Sequence, residues 1–141
     1  MISLEQQLAE LSSDFASLTL PERLDLLLEF ADNLPDVPQR LVDHPDLLER
    51  VVECQSPVFL LVEVDGGVVF THFTVPREAP TTRGFASILH DLLNGRSVEE
   101  VIGASDSIPD SLSLSAAVSP LRLRGMRGML ARIKRQVEQK R

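Results

Sequence analysis

Among side chains able to act as soft nucleophiles or metal ligands, the 141 residues hold one Cys, Cys54, and three His, at 44, 72 and 90. A structural zinc site takes three or four convergent ligands, and no paired spacing is present, so the sequence predicts no metal site. With no second Cys, neither an internal disulfide nor a dithiol cycle can form. Any sulfur chemistry at Cys54 must be exchange with another molecule. A free Cys is, by type alone, a small buried hydrophobe. Here the setting argues otherwise. Glu53, Gln55, Ser56 and Pro57 make a polar turn directly before the apolar run Val58-Phe59-Leu60-Leu61. That places the thiol at the mouth of a strand, presented on a loop held by a rigid sheet.

Other chemistry finds little support. His72 alternates with its neighbours along a strand pattern, and His90 lies beside the apolar Leu89 and Leu92, so both read as partly buried structural histidines. Neither is adjacent to Cys54 in sequence. The carboxylates fall on polar helix faces, where a solvated surface is the ordinary reading. No Walker loop or dinucleotide fingerprint occurs. Gly66-Gly67 belongs to a hairpin, and Arg124-Gly125-Met126-Arg127-Gly128 lies within a helical pattern.

The elements that must position Cys54 follow from periodicity. Leu4, Leu8, Leu11, Phe15 and Leu18 mark a first helix. Thr19-Leu20-Pro21-Glu22 is a capping box that starts a second, with an apolar stripe of Leu20, Leu24, Leu27, Leu28, Ala31 and Leu34 ended by Pro35 and Pro38. Pro35 to Pro45 reads as a surface connection, and Glu49 to Val52 as a short extended piece. Residues 58–64 and 68–73, joined by Asp65-Gly66-Gly67, are a β-hairpin. Thr81-Thr82-Arg83-Gly84 precedes a helix that stops at Asn94-Gly95. A short helix follows from Ser97 to Ile102, then a packed Ser-rich connector. The final helix carries Leu123, Met126, Leu130, Ile133 and Val137 on one face and basic residues on the others. Helices, then a small antiparallel sheet, then helices predict a single α+β domain over residues 1–141.

Composition limits the partners. Apolar residues at 43% and charged residues at 25% fit a globular chain, and six Phe with no Trp or Tyr imply an aliphatic core. Net charge is −7, but residues 1–118 hold 20 Asp and Glu against six Arg, whereas residues 119–141 hold eight Lys and Arg against one Glu. An acidic body repels phosphates, and the basic tail has no stacking aromatics, so nucleic acid is not the expected partner. No signal peptide pattern and no long apolar run is visible, which predicts a cytoplasmic protein without membrane insertion.

Three motifs, in order, resemble the SufE sulfur-acceptor family: Glu53-Cys54-Gln55-Ser56 before a strand, Glu78-Ala79-Pro80-Thr81-Thr82-Arg83-Gly84 opening a helix, and Ser119-Pro120-Leu121-Arg122-Leu123-Arg124-Gly125 opening the last. The resemblance implies a SufE/IscU-like fold with a sheet of about three strands packed against N- and C-terminal helices. It implies a cysteine desulfurase, a pyridoxal phosphate enzyme, as partner, and an iron-sulfur cluster scaffold downstream. This chain itself would need no cofactor and would not be a stand-alone enzyme. Cys54 matches the acceptor that carries sulfur as a persulfide, on a loop tucked in when free and extended on docking. Gln55, Ser56, Glu78, Arg83 and Arg122 match positions expected at the docking surface, against the alternative of structural ion pairs.

The sequence departs from the family where many relatives have Gly before the Cys. Glu53 opposes thiolate formation there unless Arg122 or the docked partner compensates. Position 78 carries Glu where relatives often have Asp. Two other readings stand beside the sulfur carrier: a desulfurase-binding regulator with no sulfur on Cys54, and a one-Cys thiol peroxidase.

Overall fold

Two helices lead the chain, α1 (Leu4–Ala16) and α2 (Leu20–Asp32), and each starts on a capping box. Ser3 Oγ accepts from the Gln6 amide at 3.1 Å while the Gln6 side chain accepts from the Ser3 amide. Thr19 and Glu22 repeat the exchange, satisfying amides that the first helical turn leaves without partners. The structure is a computed structural model, and it describes residues 2–141.

The stripe expected along α2 is only half buried. Leu27, Ala31 and Leu34 enter the core, whereas Leu20, Leu24 and Leu28 stay exposed. The reason lies in α4 (Pro80–Leu93). Its Gly84 approaches α2 so closely that a Cβ there would lie 2.5 Å from the Leu27 carbonyl oxygen. Two helices this near share a narrow seam, and the flanking leucines are left outside it.

The connection after Pro35 contains a short α3 (Gln39–Val42) and a 3-10 turn at Pro45–Leu47, neither apparent from sequence. The sheet follows, antiparallel in the order β1 (Glu49–Arg50), β2 (Phe59–Asp65), β3 (Val68–Thr74). Gly66 and Gly67 have φ of 57° and 78°, so the hairpin turns on two left-handed residues that side chains would disfavour. Asp65 pairs with Val68 at the turn, and Phe59 with Thr74 at the far end.

Beyond α4 come α5 (Val98–Ile102), α6 (Ile108–Ser111) and α7 (Pro120–Lys140). Ser97 and Ser119 cap α5 and α7. The Ser-rich connector is packed as expected, with Ile108, Leu112, Leu114 and Val118 buried. So is the whole predicted stripe of α7, from Leu123 to Val137. This helix also completes the sheet. β1 is two residues long and leaves the outer edge of β2 bare past Leu60. There Gln136 Oε1 accepts from the Val62 amide at 2.7 Å and Lys140 Nζ donates to the Val62 carbonyl. Side chains from α7 thus take the place of a neighbouring strand.

Candidate functional site around Cys54

Residues 51–58 form a closed loop between β1 and β2. The Val51 amide donates to Val58 O at 2.9 Å, the Cys54 amide to Val51 O at 3.1 Å, and the Val58 amide to Ser56 O at 2.9 Å. Val51 and Val58 are fully buried and anchor both ends, while Val52 points to solvent. The loop therefore folds back onto the protein.

Cys54 is 9% exposed. This corrects the expectation of a presented thiol. The physical cause is on α7, where two glycines open a notch. A Cβ at Gly125 would lie 2.9 Å from Cys54 Sγ, and one at Gly128 would lie 2.7 Å from Glu53 Cδ. The sulfur and the neighbouring carboxylate each occupy space that a side chain would fill.

The thiol is pushed up from 9.0 to about 11, first by burial, then by the Glu53 carboxylate, with Arg132 pulling the other way. Glu53 does stand beside the sulfur and oppose its ionisation, as its sequence position suggests. Its compensating cation, however, is Arg132 on α7, whose Nη1 donates to Glu53 Oε2 at 2.6 Å and holds that carboxyl below its usual range. Arg122 turns instead to Thr81 Oγ1, at 3.3 Å.

A cleft of about 210 Å³ opens over the thiol. The 51–58 loop contributes Cys54, Gln55 and Ser56, the start of α4 and the residues just before it contribute Glu78 and Thr81, and α7 contributes Leu121 and Arg122. All three sequence motifs thus converge on one depression. Arg83 does not line it. Its Nη1 donates to Val75 O at 2.8 Å, tying α4 to the end of β3. α4 begins at Pro80, so Thr81 to Gly84 lie inside the helix where the sequence pattern placed them just before it.

Sequence reasoning missed Arg132, Gly125 and Gly128. The glycines carried a signal. Each costs a helix interior roughly 1 kcal/mol relative to Ala, and two of them three residues apart on α7 indicate a close approach on one face. Arg132 carried none, because its partner lies 79 residues away.

His72 and His90 make structural contacts. His90 Nδ1 and Thr71 Oγ1 share a hydrogen bond of 2.8 Å, and burial holds this imidazole below its usual range. His72 Nε2 meets Glu63 Oε1 at 2.7 Å, with Arg40 on the same carboxylate. Both lie apart from the cleft. Among the described residues no group of three or more His, Cys, Asp or Glu is placed to hold a metal ion, and no helix is long and apolar enough to cross a membrane.

A family model for the SufE Fe-S metabolism associated domain matches residues 9–137. The chain belongs to the SufE family. Within this SufE chain the match runs from inside α1 to Val137 in α7, and so includes the Cys54 loop and both helix starts around the cleft. Two uncharacterized SufE-like proteins, from two strains of Mycobacterium tuberculosis, are 48% identical over 138 residues, covering 97% of this chain and 95% of theirs. A solution structure of a hypothetical protein from Thermus thermophilus superposes with a TM-score of 0.79 at 37% identity, covering 99% of this chain and 97% of that one. The family description associates this SufE chain with iron-sulfur metabolism.

Proposed function

We propose that this SufE chain is a sulfur carrier in iron-sulfur cluster assembly. Cys54 accepts sulfur from the persulfide of a cysteine desulfurase, stimulates that enzyme by relieving it of the sulfur, and passes the sulfur to a cluster scaffold. The observation that carries this reading is the convergence of Cys54, Gln55, Ser56, Glu78 and Arg122 on one cleft in a chain with no second thiol.

The chemistry is a thiol exchange. The Cys54 thiolate attacks the outer sulfur of the desulfurase persulfide, and a new S–S bond forms as the old one breaks. The electron pair leaves on the desulfurase thiolate, and Cys54 becomes Cys54-S-SH. No net oxidation occurs and no metal or cofactor is required in this chain. In-line attack needs an accessible, ionised sulfur, and burial denies both in the resting protein. Docking supplies them by drawing the loop out of the notch. Exposed Leu121, Arg122 and Glu78 form the rim that meets the desulfurase, and Arg83 serves that surface only through the packing of α4.

A regulator that docks without taking sulfur has one observation in its favour, the burial of the thiol. A thiol peroxidase has none, since it works through an accessible thiolate of lowered pKa.

The deciding experiment mixes the purified protein with a cysteine desulfurase and cysteine and weighs it by mass spectrometry. The sulfur-carrier reading requires a gain of one sulfur mass, mapped to Cys54 and absent in Cys54→Ser. Full desulfurase stimulation by Cys54→Ser would favour the regulator instead.

A further inference from the structure

Glu53 and Arg132 carry both of the buried side-chain polar atoms that lack a hydrogen-bond partner among the described residues, Glu53 Oε1 and Arg132 Nε. The pair is joined by one bond, Nη1 to Oε2 at 2.6 Å, with side chains 22% and 16% exposed respectively. A fork-to-fork arrangement would use both atoms left over. The same guanidinium has a second carboxylate at hand, since its Nε lies 3.3 Å from Glu49 Oε2. Glu49 sits on β1, paired with Leu60 and held by Arg135, and so belongs to the sheet and not to the acceptor loop. Arg132 therefore stands between a carboxylate that stays and one that travels with Cys54.

Resting on the sulfur-carrier reading, we propose that Arg132 is a positioning residue for Cys54: its bond to Glu53 latches residues 52–57 into the glycine notch of α7, and Glu49 takes the guanidinium when the loop leaves. The physical sense lies in what release would otherwise cost. Pulling one partner from a buried ion pair leaves the other charge uncompensated, a penalty large enough to lock the loop down. With Glu49 within reach, Arg132 changes partner, while Glu53 moves into water. What is lost is one charge-assisted hydrogen bond, small enough for docking to overcome. Gly128 is part of the device, because only a residue without a side chain lets the Glu53 carboxylate lie flat against the helix.

The test is alkylation of Cys54 by iodoacetamide in the full chain, near neutral pH, with no desulfurase present. Two roles for Arg132 predict opposite signs. If it acts only as a positive charge favouring the thiolate, Arg132→Met slows alkylation. If it is a latch, the same variant accelerates it, on the order of tenfold for one charge-assisted hydrogen bond. Arg132→Lys should fall between. Glu53→Gln should also accelerate the reaction, and the double variant should be no faster than the faster single one, because both remove the same contact. Salt at about 0.5 M, which shortens the Debye length to roughly 4 Å, should accelerate the native protein and leave Arg132→Met unchanged.

A slower Arg132→Met, or rates that multiply in the double variant, would overturn the latch. Hydrogen exchange guards against a variant that is merely unfolded. Faster exchange confined to residues 52–57 supports the latch, and faster exchange spread through β2 and α7 refutes it. Since no desulfurase enters this assay, a failed latch leaves the sulfur gain on Cys54 intact, and a failed sulfur gain leaves the alkylation result standing.

Discussion

Gly125 and Cys54 touch across the junction of α7 and the 51–58 loop, close enough that a Cβ on residue 125 would stand 2.9 Å from the sulfur. That contact makes a helix glycine part of a thiol's environment. Gly128 does the same for Glu53. A methyl at either position should displace the loop. Ala gains about 0.8–1 kcal/mol of helix propensity over Gly, which offsets the strain, so Gly125→Ala and Gly128→Ala should change global stability by less than about 1 kcal/mol while accelerating Cys54 alkylation. Gly84→Ala is the contrast. Its Cβ would meet Leu27 backbone and side chain inside the seam of α2 and α4, so overpacking should cost roughly 1–3 kcal/mol in urea denaturation. Unchanged alkylation in both α7 variants would show that the notch does not hold the loop.

The pH dependence of the free thiol has a definite sign. A group whose folded pKa is raised from 9.0 to about 11 stays protonated in the tucked loop while a released or unfolded thiol has already ionised. Its contribution to the tucked state is fully present below 9.0 and is lost as pH rises toward about 11. Alkylation of the native protein should keep climbing, about tenfold per pH unit, beyond the value of roughly 8.5 at which an unperturbed Cys levels off. A plateau at or below that value would contradict a buried resting thiol.

Acid stability should depend on Glu63. Arg40 is the main cause that holds this carboxyl down from 4.5 to about 2, with His72 assisting and burial opposing. Because the folded value is depressed, the stabilisation is present above 4.5 and is lost as pH falls toward about 2. Glu63→Gln should flatten the stability profile in that window, read by urea denaturation at a series of pH values. With a third of the side chain exposed, the effect should shrink in high salt. An identical profile in the variant would remove Glu63 from the account.

Arg122 separates docking from folding. Its exposed guanidinium has one side-chain partner, the Thr81 hydroxyl at 3.3 Å. Arg122→Ala should therefore alter stability by no more than about 0.5 kcal/mol, yet weaken desulfurase stimulation through the concentration of this protein needed for half effect. Wild-type stimulation by the variant would take Arg122 out of the docking rim.

Much of this protein was legible in its sequence because the relevant physics is local. The hairpin at Gly66-Gly67, the cap at Thr19, and the buried stripe of α7 depend on residues within a few positions of each other, and each formed as patterned. The absence of a second thiol likewise restricts Cys54 to exchange with a partner whatever the fold. The motifs around positions 54, 78 and 119 pointed to one family, and they meet in one cleft.

The state of the thiol was decided in three dimensions. Glu53, Gln55 and Ser56 look like an exposed turn because their polarity is visible in the chain. The notch that receives Cys54 and Glu53 is made by Gly125 and Gly128, more than 70 positions later. Which cation answers Glu53 was equally hidden, since Arg122 and Arg132 lie on one basic helix and differ in which face meets the loop. Leu20, Leu24 and Leu28 show the same limit, apolar by pattern yet exposed because α4 packs too near α2 to cover them. Residue identity alone thus determines that any thiol exchange at Cys54 must be with another molecule. Distance, burial and the pairing of charges, set only when α7 closes over the loop, determine when it can react.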